Sequence, residues 1–470
     1  MGDHFKTVVA GDVKPDPAEE LRKKRTAGSL TYSKAGLVSL FGWLLWGGVC
    51  FQLMEAVLVS LLPLQLRSIG ATNQQMALMM TTIPGILGFL VGPAVSYKSD
   101  RSTHPWGRRK PYIIFTMPFL CLCLVSIGYT EEIAVFFQNS ELMKQWGITP
   151  LAATITLVGL LVLGFQFFNE FVNSVWWYMF RDVVPEAYFG RFTGLSRVVG
   201  ALGGFFWSLY VFPHAETNAK EIYLWITLLY FFGFSLMLWR VKEERHQPSE
   251  EEAAKLKPSI IGQARNYVRE CFGHPIYVWG YIGVVFDYFG NGLGFVGILF
   301  AKQLGITLEQ IGVFGAFMGI AHLVATYPAG MFADKFHPIR LCLITGTVTL
   351  VTPLLGYVFY QDWPSYVLLG LLWFPVTQIG QAAGQVLMMR VYPKKRYGQF
   401  ASCSGMIRGL SKMGGAILGA YILDQLQDYR FYLLYNGALN IGTLICTFIV
   451  YYYWKKCGGD NYVAPLKEDK

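Results

Sequence analysis

Apolar residues in this chain gather into twelve long runs separated by short polar segments, instead of recurring at the spacing of a soluble amphipathic helix. The runs cover residues 37–62, 76–97, 112–130, 151–179, 192–212, 222–239, 276–301, 310–333, 341–360, 365–389, 398–423 and 432–454. Most reach the ~20 residues that an α-helix needs to cross a hydrocarbon core about 30 Å thick. They predict transmembrane helices, since a spanning segment has to satisfy its backbone polar groups within itself.

Composition agrees. Of 470 residues, 53% are apolar and 15% charged, with a mean hydropathy of +0.38, which is too little charge to coat a soluble protein of this size. The first 33 residues are polar and hold no apolar stretch of the kind a cleavable signal peptide carries, so none is expected. The eight cysteines, including Cys121, Cys123, Cys342 and Cys446, fall mostly inside apolar runs. They read as buried thiols, not as a disulfide framework or a metal site.

Charge changes the picture through its placement. The net charge is +9, and alternate loops hold 31 cations against five in the opposite set. By the positive-inside rule both termini are cytoplasmic, the number of spans is even, and the chain sits in the inner or plasma membrane. A nucleic-acid-binding tail would concentrate its cations once, so the bilayer is the expected partner and nucleic acid is not.

The polar segments also divide the chain. A cytoplasmic segment 1–34 precedes a first bundle 35–240, a linker 241–273, a second bundle 274–454 and a tail 455–470. In the linker, Ser249 and Glu252 have capping-box spacing, and apolar residues recur at helical spacing after Pro258. That pattern predicts an amphipathic helix on the inner membrane surface, with a plain tether as the alternative. The two bundles echo each other. Asp100-Arg101 and Trp106-Gly107-Arg108-Arg109-Lys110-Pro111 follow the second run, and a shorter copy, Gly330 to Lys335 with Asp334, then Arg340, follows the eighth. Gly70-Ala71-Thr72 with Gln75 returns as Gly305-Ile306-Thr307 with Gln310 at an offset of 235. Arg181, Pro185, Gly190 and Phe192 return as Arg390, Pro393, Gly398 and Phe400 at 208–209. Matches in the same order at the same helix ends predict a duplicated six-helix bundle.

This arrangement resembles the major facilitator superfamily. Within it, Asp100-Arg101, Trp106 to Tyr112, Asp182 to Glu186 and Gly190-Arg191-Phe192 resemble the glycoside–pentoside–hexuronide:cation symporters and the related sucrose:proton symporters. The likeness covers about 420 residues. It implies an all-α membrane protein of 12 helices in two pseudo-symmetric bundles, working by alternating access. It also implies that the first, fourth, seventh and tenth helices line a cavity, and that the second, fifth, eighth and eleventh seal the halves together. The third, sixth, ninth and twelfth would face lipid, and their runs carry no charged residue.

Ionisable side chains inside a bilayer are costly, which makes their positions informative. Glu55, Glu170, Arg197, Asp287, His322, Arg408 and Lys412 lie within the runs. Gln166, Asn169, Glu170, Asn173 and Trp177 follow i, i+3, i+4, i+7, i+11 and share one face of the fourth helix. Amides and a carboxylate can bind several hydroxyls, and an indole can stack on the apolar face of a sugar. Gln52, near Trp43 and Trp46, extends this candidate substrate set, as do Asp287, Asn291, Trp373, Gln378, Gln381 and Gln385. For each amide the competing role is an interhelical hydrogen bond, and for each Trp it is packing or an interface belt.

Glu55, Glu170, Asp287 and His322 are the candidate coupling groups, with Arg197, Arg408 and Lys412 as counter-ions; a fixed ion pair between halves is the alternative. The sodium-coupled symporters carry paired acids on the second helix, whereas residues 76–97 hold none. Proton coupling and simple facilitation both stay open. Asp100, Arg101, Gly107, Arg108, Arg109, Asp334 and Lys335 form a candidate cytoplasmic latch that pairs with acids such as Asp182 or Glu186 and breaks as the halves rock. Orientation by charge alone accounts for the cations but not for Asp100, Gly107 or the copy at Asp334.

The expected function is secondary active transport of a small solute, a sugar or glycoside, with protons, by a monomer that needs no cofactor. A lysolipid transporter, an organic-anion transporter using Arg197, Arg408 and Lys412, and a non-transporting sensor are the alternatives. No Walker motif, nucleophile elbow or metal-ligand cluster points to ATP-driven pumping or to an enzyme.

Overall fold

Apolar helices make up nearly all of the chain, and glycine and proline turns separate them. The computed structural model describes residues 25–27, 29–100, 102–138, 149–243, 267–393 and 396–465. In the first half, α1 is Lys34–Ser68, and α2 runs from Asn73–Ala77 through a π-helical turn at Leu78–Thr82 into Ile83–Asp100. There follow α3 (Lys110–Gly128), α4 (Pro150–Val183), α5 (Phe189–Phe206, continued by Trp207–Val211) and α6 (Ala219–Arg240). The second half holds α7 (Pro275–Gly290, continued by Val296–Gln303), α8 (Leu308–Lys335), α9 (Pro338–Phe359), α10 (Trp363–Val391), α11 (Tyr397–Leu426) and α12 (Phe431–Lys456). Linker residues 244–266, with the Ser249–Glu252 spacing, lie outside the described residues.

Among the described residues, ten helices are long and apolar enough to cross a membrane, and α7 adds an eleventh span as two pieces bent by 53°. The exception is α11, which is 30 residues long but carries Arg408 and Lys412. It packs between α2 and α7, where protein rather than lipid surrounds much of it.

The repeat in sequence is a repeat in structure. Gly70 and Gly305 both take positive φ, 80° and 75°, which ends α1 and α7 at no steric cost. Thr72 and Thr307 then cap α2 and α8 with matching boxes: each hydroxyl accepts from the N–H three residues on at 3.2 Å. Gln75 and Gln310 reach back to the cap N–H at 2.9 and 3.0 Å. Phe192 and Phe400, at equivalent places on α5 and α11, are both fully buried.

The basic loops mark one end of the molecule, the basic end. The halves meet at the other, far end, where α2 packs on α11 and α5 on α8. There the Asp424 carboxylate accepts from the N–H groups of Asn73 and Gln74 at 2.8 and 3.0 Å and from Asn73 Nδ2 at 2.8 Å. Tyr429 donates to Asn73 Oδ1 at 3.0 Å, Thr81 donates to the Gly292 carbonyl at 3.2 Å, and Lys302 pairs with Glu216. The α5 and α8 backbones come so close that a Cβ on Gly312 would lie 2.2 Å from the Ser208 carbonyl. Among the described residues, every hydrogen bond and ion pair between the halves lies on this side of the molecule.

Candidate functional site

The helix-four stripe divides once it is packed. Asn169 is buried and its Nδ2 donates to Glu55 Oε1 at 2.8 Å, tying α4 to α1. Glu170, one residue on, faces α2, where a Cβ on Gly92 would stand 3.2 Å from its Oε1 and one on Gly88 3.6 Å from its Oε2. Two glycines one turn apart give the carboxylate its space, and Ser174 donates to it at 3.2 Å. Trp177 stays 62% exposed and donates to Asn173 Oδ1 at 3.2 Å, while Gln166 is half-buried. Gln52 donates to the Gly200 carbonyl at 3.1 Å, which is an α1–α5 link. The first half thus uses Gln52, Glu55 and Asn169 to join its helices, and it presents Glu170, Asn173 and Trp177.

In the second half the helices enclose a cavity of about 930 Å³. α7 packs on α12, α12 on α9 and α9 on α10, whereas α7 and α10 stand apart. Asp287, Asn291, Gln381, Gln385, Arg408 and Lys412 all line it, together with Tyr277, Met388 and Tyr392 toward the basic end. Asn291 Nδ2 donates to Asp287 Oδ1 at 3.3 Å. Arg408 donates to Ser404 Oγ at 3.4 Å and its guanidinium stands 5.8 Å from the Tyr288 ring centre. The structure therefore brings together an acid, two cations one helical turn apart and three amides. It also corrects the expectation that the ninth and twelfth helices face only lipid. Thr345 and Thr349 of α9 and Asn440 and Thr443 of α12 reach the cavity, because the gap between α7 and α10 leaves the bundle's interior open to it.

Other candidates stand elsewhere. Gln378 is buried and Trp373 half-buried outside the cavity wall, the latter with its indole N–H lacking an acceptor among the described residues. Arg197 and His322 are exposed on α5 and α8, and neither is ion-paired among the described residues. Asp424, Glu243 and the threonines of α9 and α12 escaped the sequence reading. The threonines had a signal, since they interrupt runs whose first-half counterparts are apolar.

The basic loop is tied down within one half. Arg108 grips Asp182 with two bonds of 2.9 and 2.5 Å, and Arg109 Nε reaches the same carboxylate at 3.1 Å. Arg109 also donates to Ser99 Oγ at 2.5 Å and lies 5.1 Å from the Tyr178 ring centre. Gly107 has φ of 106° and no room for a Cβ, which would sit 2.4 Å from Glu243 Oε2. That closeness lets Glu243 accept from the N–H groups of Arg109 and Lys110 at 2.9 and 3.1 Å, while Lys110 Nζ donates to the Val241 carbonyl. Burial pushes the Glu243 carboxyl above its usual range, and those N–H groups pull it part of the way back. The pairing with Asp182 matches expectation; the location does not. Among the described residues these contacts join the ends of α3, α4 and α6 and do not bridge the halves. Arg101 and the side chains of Asp100 and Asp334 lie outside what the structure describes, and Lys335 is exposed beside Phe336.

The chain is similar to known proteins in part of its sequence and in its fold. Residues 278–461 match the Major Facilitator Superfamily profile. Solute carrier family 45 member 4 of Homo sapiens is 26% identical over 241 residues, which is 47% of this chain and 29% of that protein. The sucrose transport protein SUT1 of Oryza sativa subsp. japonica is 38% identical over 122 residues, 26% of this chain and 22% of its own length. The matched segments thus span less than a third of these curated relatives. The crystal structure of a D-xylose-proton symporter superposes with a TM-score of 0.64 at 14% identity, covering 91% of this chain and 99% of that one. The second half of the chain thus matches the Major Facilitator Superfamily profile, and over nine-tenths of its length the chain shares the fold of a solved D-xylose-proton symporter.

Proposed function

We propose that the chain is a monomeric plasma-membrane transporter that carries a small polyhydroxylated solute, a sugar or glycoside, by alternating access in symport with protons. One observation carries the reading: a polar cavity that extends toward the basic end, in a molecule whose halves are clasped at the far end. That is what one end state of an alternating-access cycle requires. In this reading the basic end is cytoplasmic and the state described is inward-open. A sucrose transport relative and a D-xylose-proton symporter of the same fold favour a sugar. Glu170 and Asp287 are the proposed proton-exchanging groups, with Arg408 and Lys412 as counter-charges; no organic cofactor is involved. Opposite Glu170, α2 presents Gly88 and Gly92 and not the paired acids that the sodium-coupled symporters carry on that helix, which favours the proton.

Proteoliposomes test this directly. Wild-type protein is expected to concentrate a neutral sugar when an inward proton gradient is imposed. Glu170→Gln and Asp287→Asn should each lose roughly tenfold or more of that gradient-driven uptake, about the loss of one pKa-matched proton step, while inserting normally and still exchanging sugar at equilibrium. Full concentrative uptake by both variants would remove the coupling assignment. Arg408 and Lys412 support a second reading, an acidic solute, which gains ground if a uronate outcompetes its neutral parent sugar.

A further inference from the structure

We infer that the solute's seat is the interior of the second bundle, a chamber walled by α9 and α12 as well as by α7 and α10, and that it takes an uncharged polyhydroxylated ring. This rests on the transport reading above and names where, and with what chemistry, the solute is held.

The two bundles can be compared position by position. α1 and α7 are related by the 235-residue offset of their capping turns, and α4 and α10 by 209. Sequence matches set the other two pairs. Tyr223-Leu224 and Gly233 of α6 return as Tyr432-Leu433 and Gly442 of α12 at an offset of 209. Gly128-Tyr129 at the end of α3 returns as Gly356-Tyr357 near the end of α9 at 228.

In the first bundle the enclosed space is full. Phe51, Trp176 and Phe234 form a three-ring cluster with centroids 5.0 to 6.4 Å apart, and Met117 and Cys121 of α3 are buried in the same core. The equivalent positions in the second bundle are Phe286, Gln385, Thr443, Thr345 and Thr349. One ring survives. The other two rings and both sulfur-bearing side chains become an amide and three hydroxyls, and the space they would fill is the cavity. Loss of packing alone could be met by collapse or by smaller apolar residues. Here each replacement is polar, and an apolar core gains nothing from burying such groups. The hydroxyls of Thr345, Thr349 and Thr443 donate to carbonyls of their own helices at 2.8, 3.0 and 3.3 Å, which leaves oxygen lone pairs free to accept from a solute. None of these wall residues is charged; Asp287, Arg408 and Lys412 come from α7 and α11. A cavity of about 930 Å³ lies at the upper end of the usual range for small-molecule sites and admits a mono- or disaccharide.

Refilling the chamber tests this. The double variant Gln385→Trp, Thr443→Phe restores the first bundle's aromatic cluster. Sugar affinity, measured by titration calorimetry on purified protein against a panel of neutral mono- and disaccharides, is expected to fall by at least roughly 30-fold, with the thermal midpoint held or raised. Thr349→Val with Thr443→Val keeps the volume and removes two hydroxyls, and should weaken the same sugar about tenfold. If the filled variant fails to fold, the valine pair decides. Wild-type affinity in the valine pair, or in a folded filled variant, would overturn the chamber as the seat while leaving sugar transport intact. If the wild-type protein binds and moves none of the panel, the transport reading falls first and this inference with it.

Discussion

Asp182 accepts from two guanidinium groups at once, and Arg109 is only 5% exposed where it does so. Removing the carboxylate leaves those cations close together, partly desolvated and without their shared acceptor. Asp182→Ala is therefore expected to lower stability by about 3 kcal/mol, read as a drop in thermal midpoint in detergent. Gly107→Ala should cost about 1–2 kcal/mol in the same assay, since the residue sits at positive φ and its new methyl would meet Glu243. If either variant melts with wild type, the loop is held by less than this network. At this scale the sequence spoke unevenly. Residue types and their helical phase were readable, so Asp287, Gln381, Gln385, Arg408 and Lys412 could be singled out as candidates, and all five line one cavity. What a side chain turns toward depends on how helices cross, and for that reason Asn169 and Glu170, neighbours on one predicted face, serve α1 and α2 separately.

The first turn of α2 shows how an element can carry a conformational bias. Its three leading N–H groups lack partners inside the helix. The Thr72 hydroxyl takes the third, and Asp424 from the other half takes the first two. A carboxylate at a helix N-terminus gains from both hydrogen bonds and the aligned peptide dipoles. Asp424→Ala is expected to shift the population toward a state open at the far end by roughly 5- to 30-fold, the equivalent of about 1–2 kcal/mol. A cysteine placed at Thr81, beneath this contact, should then gain maleimide labelling; unchanged labelling would mean that α2 is held by packing alone. The twin capping boxes at Thr72 and Thr307 were legible because they are local, written within four residues. The Asp424 contact joins positions 351 apart and leaves no local trace.

Over the whole molecule, the helix order, the duplication and the basic loops were all readable from hydropathy and charge, because bilayer thickness and topology act on each segment by itself. The difference in filling between the bundles was not, because it appears only when equivalent positions are laid side by side in three dimensions. That difference has a mechanical consequence. One continuous apolar core runs through the first bundle and into the far end of the second, reaching Leu293, Ala416 and Leu423, while the basic end of the second bundle rests on a separate, smaller cluster that holds Tyr277, Phe400 and Trp454. α12 closes the wall of a hollow, whereas α6 packs its own Phe234 against the rings of Phe51 and Trp176. Pulled by its C-terminus from a bilayer on a force microscope, the chain should release α12 and α9 at lower force than a pull from the N-terminus needs to release α1. Equal forces would show that filling does not set the order. The half that gives way first under load is the half with the empty interior.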